Sequence, residues 1–130
     1  MSELIIKSLK KNELVDITFE IENFLGEKGY KNGILFLNTL HTTAALTINE
    51  NTDPNVRVDL LNALEAMVPN IEFKHAEGNS DAHLKSSLLG TSLTIPVIDG
   101  KLLHGTWQGV YFCEFDGPRT RKVVLTFMGS

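Results

Sequence analysis

The sequence holds a single cysteine and no long apolar run, and these two shortages exclude several classes of protein. Cys113 cannot form a disulfide within the chain and cannot alone supply a thiolate cluster for a metal, which favours a reducing compartment. No segment approaches the roughly 20 apolar residues that a membrane-spanning helix needs, and the first residues lack the basic and apolar regions of a secretory signal. We therefore expect a cytoplasmic protein that does not bind membranes.

Positive charge is also scarce. Lysine and arginine number 12 against 16 aspartate and glutamate residues, which gives a formal net charge of -4. The only short basic stretches are Lys7–Lys11 and Arg119–Lys122, too little to release the counterions that drive nucleic-acid binding. With 42% hydrophobic and 22% charged residues, no repeat and no linker, the chain is predicted to form one globular domain over residues 1–130.

Hydrophobic periodicity predicts strands and helices in the first half of the chain. A strand around Leu4–Ser8 is followed by an amphipathic helix that carries Ile17, Ile21, Phe24 and Leu25 and ends near Gly26–Gly29. Apolar residues 34–37 then indicate a buried strand, and residues 42–49 a second extended segment. The dipeptide Asp53-Pro54 suits a helix start, and Pro69 stops that helix. We expect its apolar stripe to face the core: Val56, Leu60, Leu61, Leu64, Met67 and Val68.

The second half of the chain is predicted to form one helix followed by consecutive hairpins. Residues 79–81 are suited to cap a helix whose apolar positions are Leu84, Leu88 and Leu89. Beyond it, Leu93, Ile95 and Val97 alternate, and Asp99-Gly100 is a strong hairpin signal. Residues 107–115 and 122–128 are rich in strand formers. Hairpins without parallel crossovers predict an α+β fold built on antiparallel sheets, with a few helices.

Polar residues that such a fold does not require gather in two segments. His41, Thr42 and Thr43 follow an apolar strand, at a position where a rigid element can aim an imidazole and two hydroxyls. The run from His75 to His83 holds two imidazoles and two carboxylates, Glu77 and Asp81. Neutral imidazole is a common zinc ligand, and carboxylates can complete or orient such a site. The spacing matches no diagnostic metal motif, so structural or surface roles for these histidines stay open.

Other residues indicate a site that binds an anion. A helix beginning near Asn79 presents free backbone N–H groups, with Ser86 and Ser87 as further hydroxyl donors, and Arg119 after a turn can grip phosphate bidentately. An ionised Asp81 in the first helical turn opposes this reading.

Three further residues have other roles. Trp107, between small residues, suits ligand stacking, packing or an interface. Cys113 is interpreted as a buried apolar residue, and Glu114 would need a partner if it is buried.

Three polar runs, in this order, resemble the YjbQ family. They are residues 41–51 (HTTAALTINEN), residues 75–85 (HAEGNSDAHLK), and Gly105-Thr106-Trp107-Gln108-Gly109 with residues 114–119 (EFDGPR). The resemblance extends from about Gly33 to the C-terminus. One departure is His104, where the family pattern usually has an apolar residue.

The resemblance implies a compact homotrimer with sites near subunit contacts and weak thiamine-phosphate synthase activity. That reaction joins hydroxymethylpyrimidine pyrophosphate to thiazole phosphate and releases pyrophosphate. It further implies a metal site at His41, His75 and His83, where zinc or a related transition ion suits imidazole better than Mg²⁺, which can accompany pyrophosphate. On this view Asp81 or Glu77 orients a histidine or metal-bound water, and the phosphate-binding residues include Asn79, Ser86 and Ser87.

Two other functions stay open at this point. The chain can be a non-enzymatic module that binds a phosphorylated metabolite or another anion at the same residues. Alternatively, the histidines can hold a purely structural metal at a contact between subunits.

Overall fold

The computed structural model describes all residues from 1 to 130 and contains eight strands and three helices. The strands are β1 Ser2–Lys7, β2 Glu13–Asp16, β3 Gly33–Thr39, β4 Ala44–Glu50, β5 Ser92–Ile98, β6 Lys101–Leu102, β7 Gln108–Glu114 and β8 Thr120–Gly129. The helices are α1 Thr18–Lys28, α2 Pro54–Ala66 and α3 Ser80–Leu89. None of these helices is long and apolar enough to cross a bilayer. The predicted α+β class is confirmed.

Two antiparallel sheets face each other. The larger sheet has the strand order β1-β8-β3-β5-β6 and the smaller one β2-β7-β4. The main core lies between them, where inward side chains such as Leu37, Val110 and Phe112 meet α1 residues Ile21 and Leu25. Since successive strand residues point to opposite faces, the intervening residues of β7 project outward toward α2 and α3. The result is three layers: the five-stranded sheet, the three-stranded sheet and a pair of helices.

Two features of the first half differ from the sequence prediction. Strand β2 was not predicted, because four residues are too few to establish an alternating pattern. The stripe of α2 was predicted to face the core, and its leucines do, but no residue of α2 is fully buried. Leu60, Leu61 and Leu64 are half-buried against the second cluster, and Met67 is 59% exposed. The helix packs only on the outer face of the smaller sheet, so its apolar stripe contacts the rest of the protein on one side only.

The start predicted for α3 is confirmed, but its buried face is not the leucine face. Ala82, Lys85 and Ser86 are buried, while Leu88 is 53% exposed. The small Ala82 side chain packs in the cluster beneath the helix. The ammonium of Lys85 forms an ion pair with Glu65 of α2 and lies 5.8 Å from the ring centroid of Phe115. The buried face of α3 therefore carries an ion-paired lysine, where the apolar periodicity predicted leucine.

An ion pair joins the two sheets at one end of the sandwich. Arg121 of β8 donates from Nε to Oε1 of Glu114 on β7 at 2.9 Å, and both residues are buried. The carboxylate also accepts from Ser8 Oγ at 2.6 Å, and the guanidinium donates to Thr43 Oγ1 at 2.9 Å. Burial by itself raises the pKa of Glu114, but hydrogen bonds from Arg121 and Ser8 outweigh it and hold that pKa below its usual value. The predicted need of Glu114 for a partner is confirmed.

We predict that Glu114→Gln lowers the free energy of unfolding at pH 7 by about 3–5 kcal/mol, because it leaves a buried guanidinium without its counter-charge. A lowered carboxyl pKa means that the unfolded chain binds the proton more readily. The stability that Glu114 contributes is therefore complete above its unfolded pKa of about 4.5 and is lost as the pH falls through the lower folded value. Urea unfolding between pH 7 and pH 3 measures this.

Glu3→Gln is the matched control, because Glu3 pairs with Lys122 at 3.4 Å on the surface. This variant should change the free energy of unfolding by no more than about 0.5 kcal/mol. Equal destabilisation by the two variants would show that the buried pair has no special role.

Candidate functional site

A polar cleft of about 380 Å³ opens at the end of the sandwich where Arg121 and Glu114 join the sheets. Of the 11 residues around it, only one is hydrophobic. The lining consists of Leu40, His41, Thr42, Thr43, His75, Glu77, Asn79, His83, Asp116, Arg119 and Arg121. The cleft therefore offers charges and hydrogen-bonding groups, with very little apolar surface.

Three stretches of chain form its walls. Residues 40–43 connect β3 in one sheet to β4 in the other, so they cross the end of the sandwich. Residues 75–83 lead into α3, and residues 116–121 lead from β7 into β8. Eight side chains that the sequence singled out as site residues thus line one cavity: His41, Thr42, Thr43, His75, Glu77, Asn79, His83 and Arg119.

His75 and His83 lie beside each other at the entrance to α3. Their ring centroids are 5.5 Å apart and the rings are nearly perpendicular. Nε2 of His75 is 3.9 Å from Oε1 of Glu77. Asn79 links this segment to the opposite wall, because its Nδ2 donates to Oδ2 of Asp116 at 3.0 Å.

His41 is held in a defined tautomer. Its Nε2 lies 3.0 Å from the backbone nitrogen of Lys122 and accepts that N–H. A ring nitrogen that accepts carries no proton, so the neutral ring has its hydrogen on Nδ1. Burial lowers the pKa of His41, and the positive charge of Arg121 lowers it further. His41 is therefore a neutral hydrogen-bond donor at neutral pH.

The three predicted metal ligands do not converge on one point. No group of three histidine, cysteine, aspartate or glutamate side chains is arranged to hold an ion. The lone pair on Nε2 of His41 is already used by a backbone N–H, and its other nitrogen carries the proton. His75 and His83, with ring centroids 5.5 Å apart, are close enough to share a ligand. As placed, the residues do not fit a three-histidine metal centre, and no step of the chemistry below is assigned to a metal.

Arg119 is fixed at the rim of the cleft. Its Nε donates to the backbone oxygen of Asp116 at 2.7 Å, and Nη2 donates to the carboxylate of the same residue at 2.8 Å. A guanidinium has five N–H groups, so these two bonds leave three for a ligand. Since Asp116 and Glu77 balance the two arginines of the lining, anion binding here depends on directed donors more than on net charge.

Four predicted site residues lie elsewhere. Asp81 binds Lys11 at 2.8 Å. Partial burial opposes its ionisation, but the Lys11 hydrogen bond prevails and keeps the pKa of Asp81 below its usual value. Ser86 and Ser87 line a neighbouring depression rather than the cleft. Trp107 precedes β7 and is 61% exposed, whereas the cleft lies at the other end of that strand, about 20 Å away at 3.4 Å per residue.

The sequence reasoning missed Asp116 and Arg121 as lining residues. A signal for Arg121 was present, because the alternation of Arg121, Val123 and Leu125 places the arginine on the inward face of β8. An inward arginine needs a buried partner, and Glu114 was already identified as a carboxylate in an apolar strand.

Comparison with known proteins places this fold in a family. A family model described as "UPF0047 protein YjbQ-like" matches residues 2–130. The chain belongs to the YjbQ family. A UPF0047 protein of Methanocaldococcus jannaschii is 53% identical over 96% of this chain and 91% of its own length. The UPF0047 protein YugU of Bacillus subtilis is 47% identical over 99% of both chains.

Solved structures agree with this assignment. A crystal structure of a YjbQ/UPF0047-family protein from Clostridium acetobutylicum matches with a TM-score of 0.93 and 44% identity, covering 98% of this chain and 100% of its own. A YbjQ-like protein of Sulfolobus solfataricus matches with a TM-score of 0.92 and 34% identity, covering 99% and 96%. The YjbQ assignment thus covers β1 and α1 as well as the motifs from Gly33 onward.

We predict that the imidazole of His41 in this YjbQ-family protein titrates below the ordinary histidine pKa of about 6.5 and carries its neutral proton on Nδ1. A lowered folded pKa means that the unfolded chain protonates first, so the stability from neutral His41 is complete above about pH 6.5 and falls as the pH decreases. Nitrogen-15 NMR of the histidine side chains reports both tautomer and pKa. Titration of His41 at or above about pH 6.5 would contradict this.

Proposed function

We propose that the cleft binds the phosphate or pyrophosphate group of a small phosphorylated metabolite. The observation that carries this proposal is the convergence of Arg119 and Arg121 on a cavity with one apolar residue, beside the N-terminal end of α3. Donors of these kinds are the ones that recognise phosphate oxygens in proteins. The proposal makes no use of a metal.

The two arginine side chains of the cleft are held in place by hydrogen bonds to other residues. Arg121 is held by Glu114 and Thr43, and Arg119 by Asp116, so neither side chain has to be ordered when a ligand arrives. The side chain of Asn79 does not cap α3, but the carboxylate of Asp81 lies in the first turn and already accepts from the backbone N–H of Ala82, so the arginines contribute more to anion binding here than the helix dipole does. His41 adds a neutral N–H donor. Pre-ordered donors of this type favour binding because little conformational entropy is lost.

The activity we propose is the weak thiamine-phosphate synthase reaction implied by resemblance to the YjbQ family. A carbon–nitrogen bond forms between the thiazole nitrogen and the pyrimidine methylene as the carbon–oxygen bond to pyrophosphate breaks. Charge develops on the departing pyrophosphate, and Arg119 and Arg121 are positioned to stabilise it. His75, with Glu77 beside it at 3.9 Å, is the residue we assign to proton donation to that group.

The homotrimer is a further part of the proposal. The outer face of the five-stranded sheet has no helix packed on it and carries partly exposed apolar residues that include Ile5, Ile34 and Met128. An uncovered apolar face of this kind suits contact with another copy of the chain. The zinc or related transition ion that the resemblance implies on His41, His75 and His83 stays a prediction.

We predict that Arg119→Gln weakens the binding of pyrophosphate about tenfold or more, because a hydrogen bond to a charged group contributes about 1.5–3 kcal/mol. Arg57→Gln is the matched control: it removes the same charge from α2, where the guanidinium lies 5.8 Å from the ring centroid of Tyr111 and outside the cleft. Isothermal titration calorimetry with pyrophosphate measures both. Equal weakening in the two variants would contradict a site at the cleft.

Product formation separates an enzyme from a binding module. The wild-type protein is supplied with hydroxymethylpyrimidine pyrophosphate and thiazole phosphate, and thiamine phosphate is measured by its fluorescent oxidation product. We expect turnover in the wild type and in Arg57→Gln, and loss of turnover in Arg119→Gln. Binding of pyrophosphate without any product would assign the chain to the non-enzymatic alternative.

A further inference from the structure

A second polar depression adjoins the cleft along α3. It has a volume of about 520 Å³, and none of its seven lining residues is hydrophobic. It shares His41, Thr42 and His83 with the cleft and continues toward Ser87 and Thr91. The two cavities together follow α3 from its first residues to its C-terminal end, a length of about 15 Å for ten residues at 1.5 Å each.

The two serine hydroxyl groups of this depression are acceptors. Ser86 Oγ donates its proton to the backbone oxygen of Ala44 at 2.7 Å, and Ser87 Oγ donates to the backbone oxygen of His83 at 2.9 Å. A hydroxyl has one proton and two lone pairs, so each oxygen has only lone pairs left for a ligand. These positions recognise O–H donors and do not suit phosphate oxygens, contrary to the phosphate contacts that the sequence led us to expect for both serines.

The two ends of α3 therefore differ in chemical character. The cleft at the N-terminal end presents donors from Arg119, Arg121 and His41. The depression shares His41 but continues beside the C-terminal half of the helix, where the helix dipole is negative and the two serine hydroxyls are acceptors. A ligand that spans both cavities needs an anionic group at one end and hydrogen-bond donors at the other.

Neither cavity is built for a flat heterocycle. Leu40 is the one hydrophobic residue among the two linings, and no phenylalanine, tyrosine or tryptophan contributes to either. Heteroaromatic ligands are usually held by apolar and aromatic side chains. A ligand that carries a chain of hydroxyl groups, in contrast, can form hydrogen bonds along the whole of such a surface.

We propose that the preferred ligand class is a phosphorylated polyhydroxy compound, with its phosphate in the cleft and its hydroxyl groups over Ser86, Ser87 and Thr91. This inference rests on the phosphate binding proposed above and adds the identity of the rest of the molecule. It also accounts for a weak thiamine-phosphate synthase activity, since the pyrimidine and thiazole rings would meet a surface that offers them few contacts.

The test compares ribitol 5-phosphate with pentyl phosphate, two five-carbon phosphates of which only the first has hydroxyl groups. Calorimetric titration of the wild-type protein should show at least about tenfold tighter binding of ribitol 5-phosphate. Ser87→Ala and Thr91→Val should each reduce that preference by about threefold to tenfold, the effect of one lost hydrogen bond. Both residues are exposed, so neither variant should disturb the core. Ser92→Ala, an exposed serine outside both cavities, is the matched control and should leave the preference unchanged.

The outcomes distinguish this inference from the function on which it rests. Equal binding of the two compounds, with both weakened by Arg119→Gln, would overturn the polyhydroxy ligand and leave phosphate binding intact. Tighter binding of pentyl phosphate would overturn it as well. If neither compound nor inorganic phosphate binds, phosphate binding at the cleft fails and the polyhydroxy ligand fails with it.

Discussion

The buried ion pair between Arg121 and Glu114 is the constraint on which the rest of the structure depends. Removing two charges from water is costly unless each finds its partner and further hydrogen bonds, and here Ser8 and Thr43 supply those bonds. The pair fixes β7 against β8 at the open end of the sandwich. Two walls of the cleft, residues 40–43 and 116–121, begin within a few residues of this junction, so much of the geometry of the candidate site follows from it.

The polarity of the site has the same origin. Because the end of the sandwich is joined by charged groups instead of apolar side chains, the cavity above it is lined by donors and carboxylates. The helix α3 then divides this polar region into a donor end and an acceptor end. Such a surface distinguishes ligands by the placement of their charges and hydroxyl groups, and it contributes little to the binding free energy of an apolar ring.

Much of the fold and the site was predictable from the sequence, because strong local signals agree with the tertiary structure. The Asp99-Gly100 turn, the Asp53-Pro54 helix start and the start of α3 all follow from local chemistry. The cavity that unites His41, His75 and Arg119 required the crossing of residues 40–43 between sheets, which no local pattern encodes. Likewise, periodicity cannot tell that Lys85 is buried, since its partners, the carboxylate of Glu65 and the side-chain oxygen of Asn12, come from other parts of the chain.

The most direct test of the account is a two-dimensional amide NMR titration of the wild-type protein with inorganic phosphate. Phosphate binding in the cleft predicts shift changes confined to residues 40–43, 75–83 and 116–121, with the indole N–H of Trp107 unmoved at the far end of β7. Changes centred on Trp107, or no change at millimolar phosphate, would contradict the proposal that this cleft is an anion-binding site.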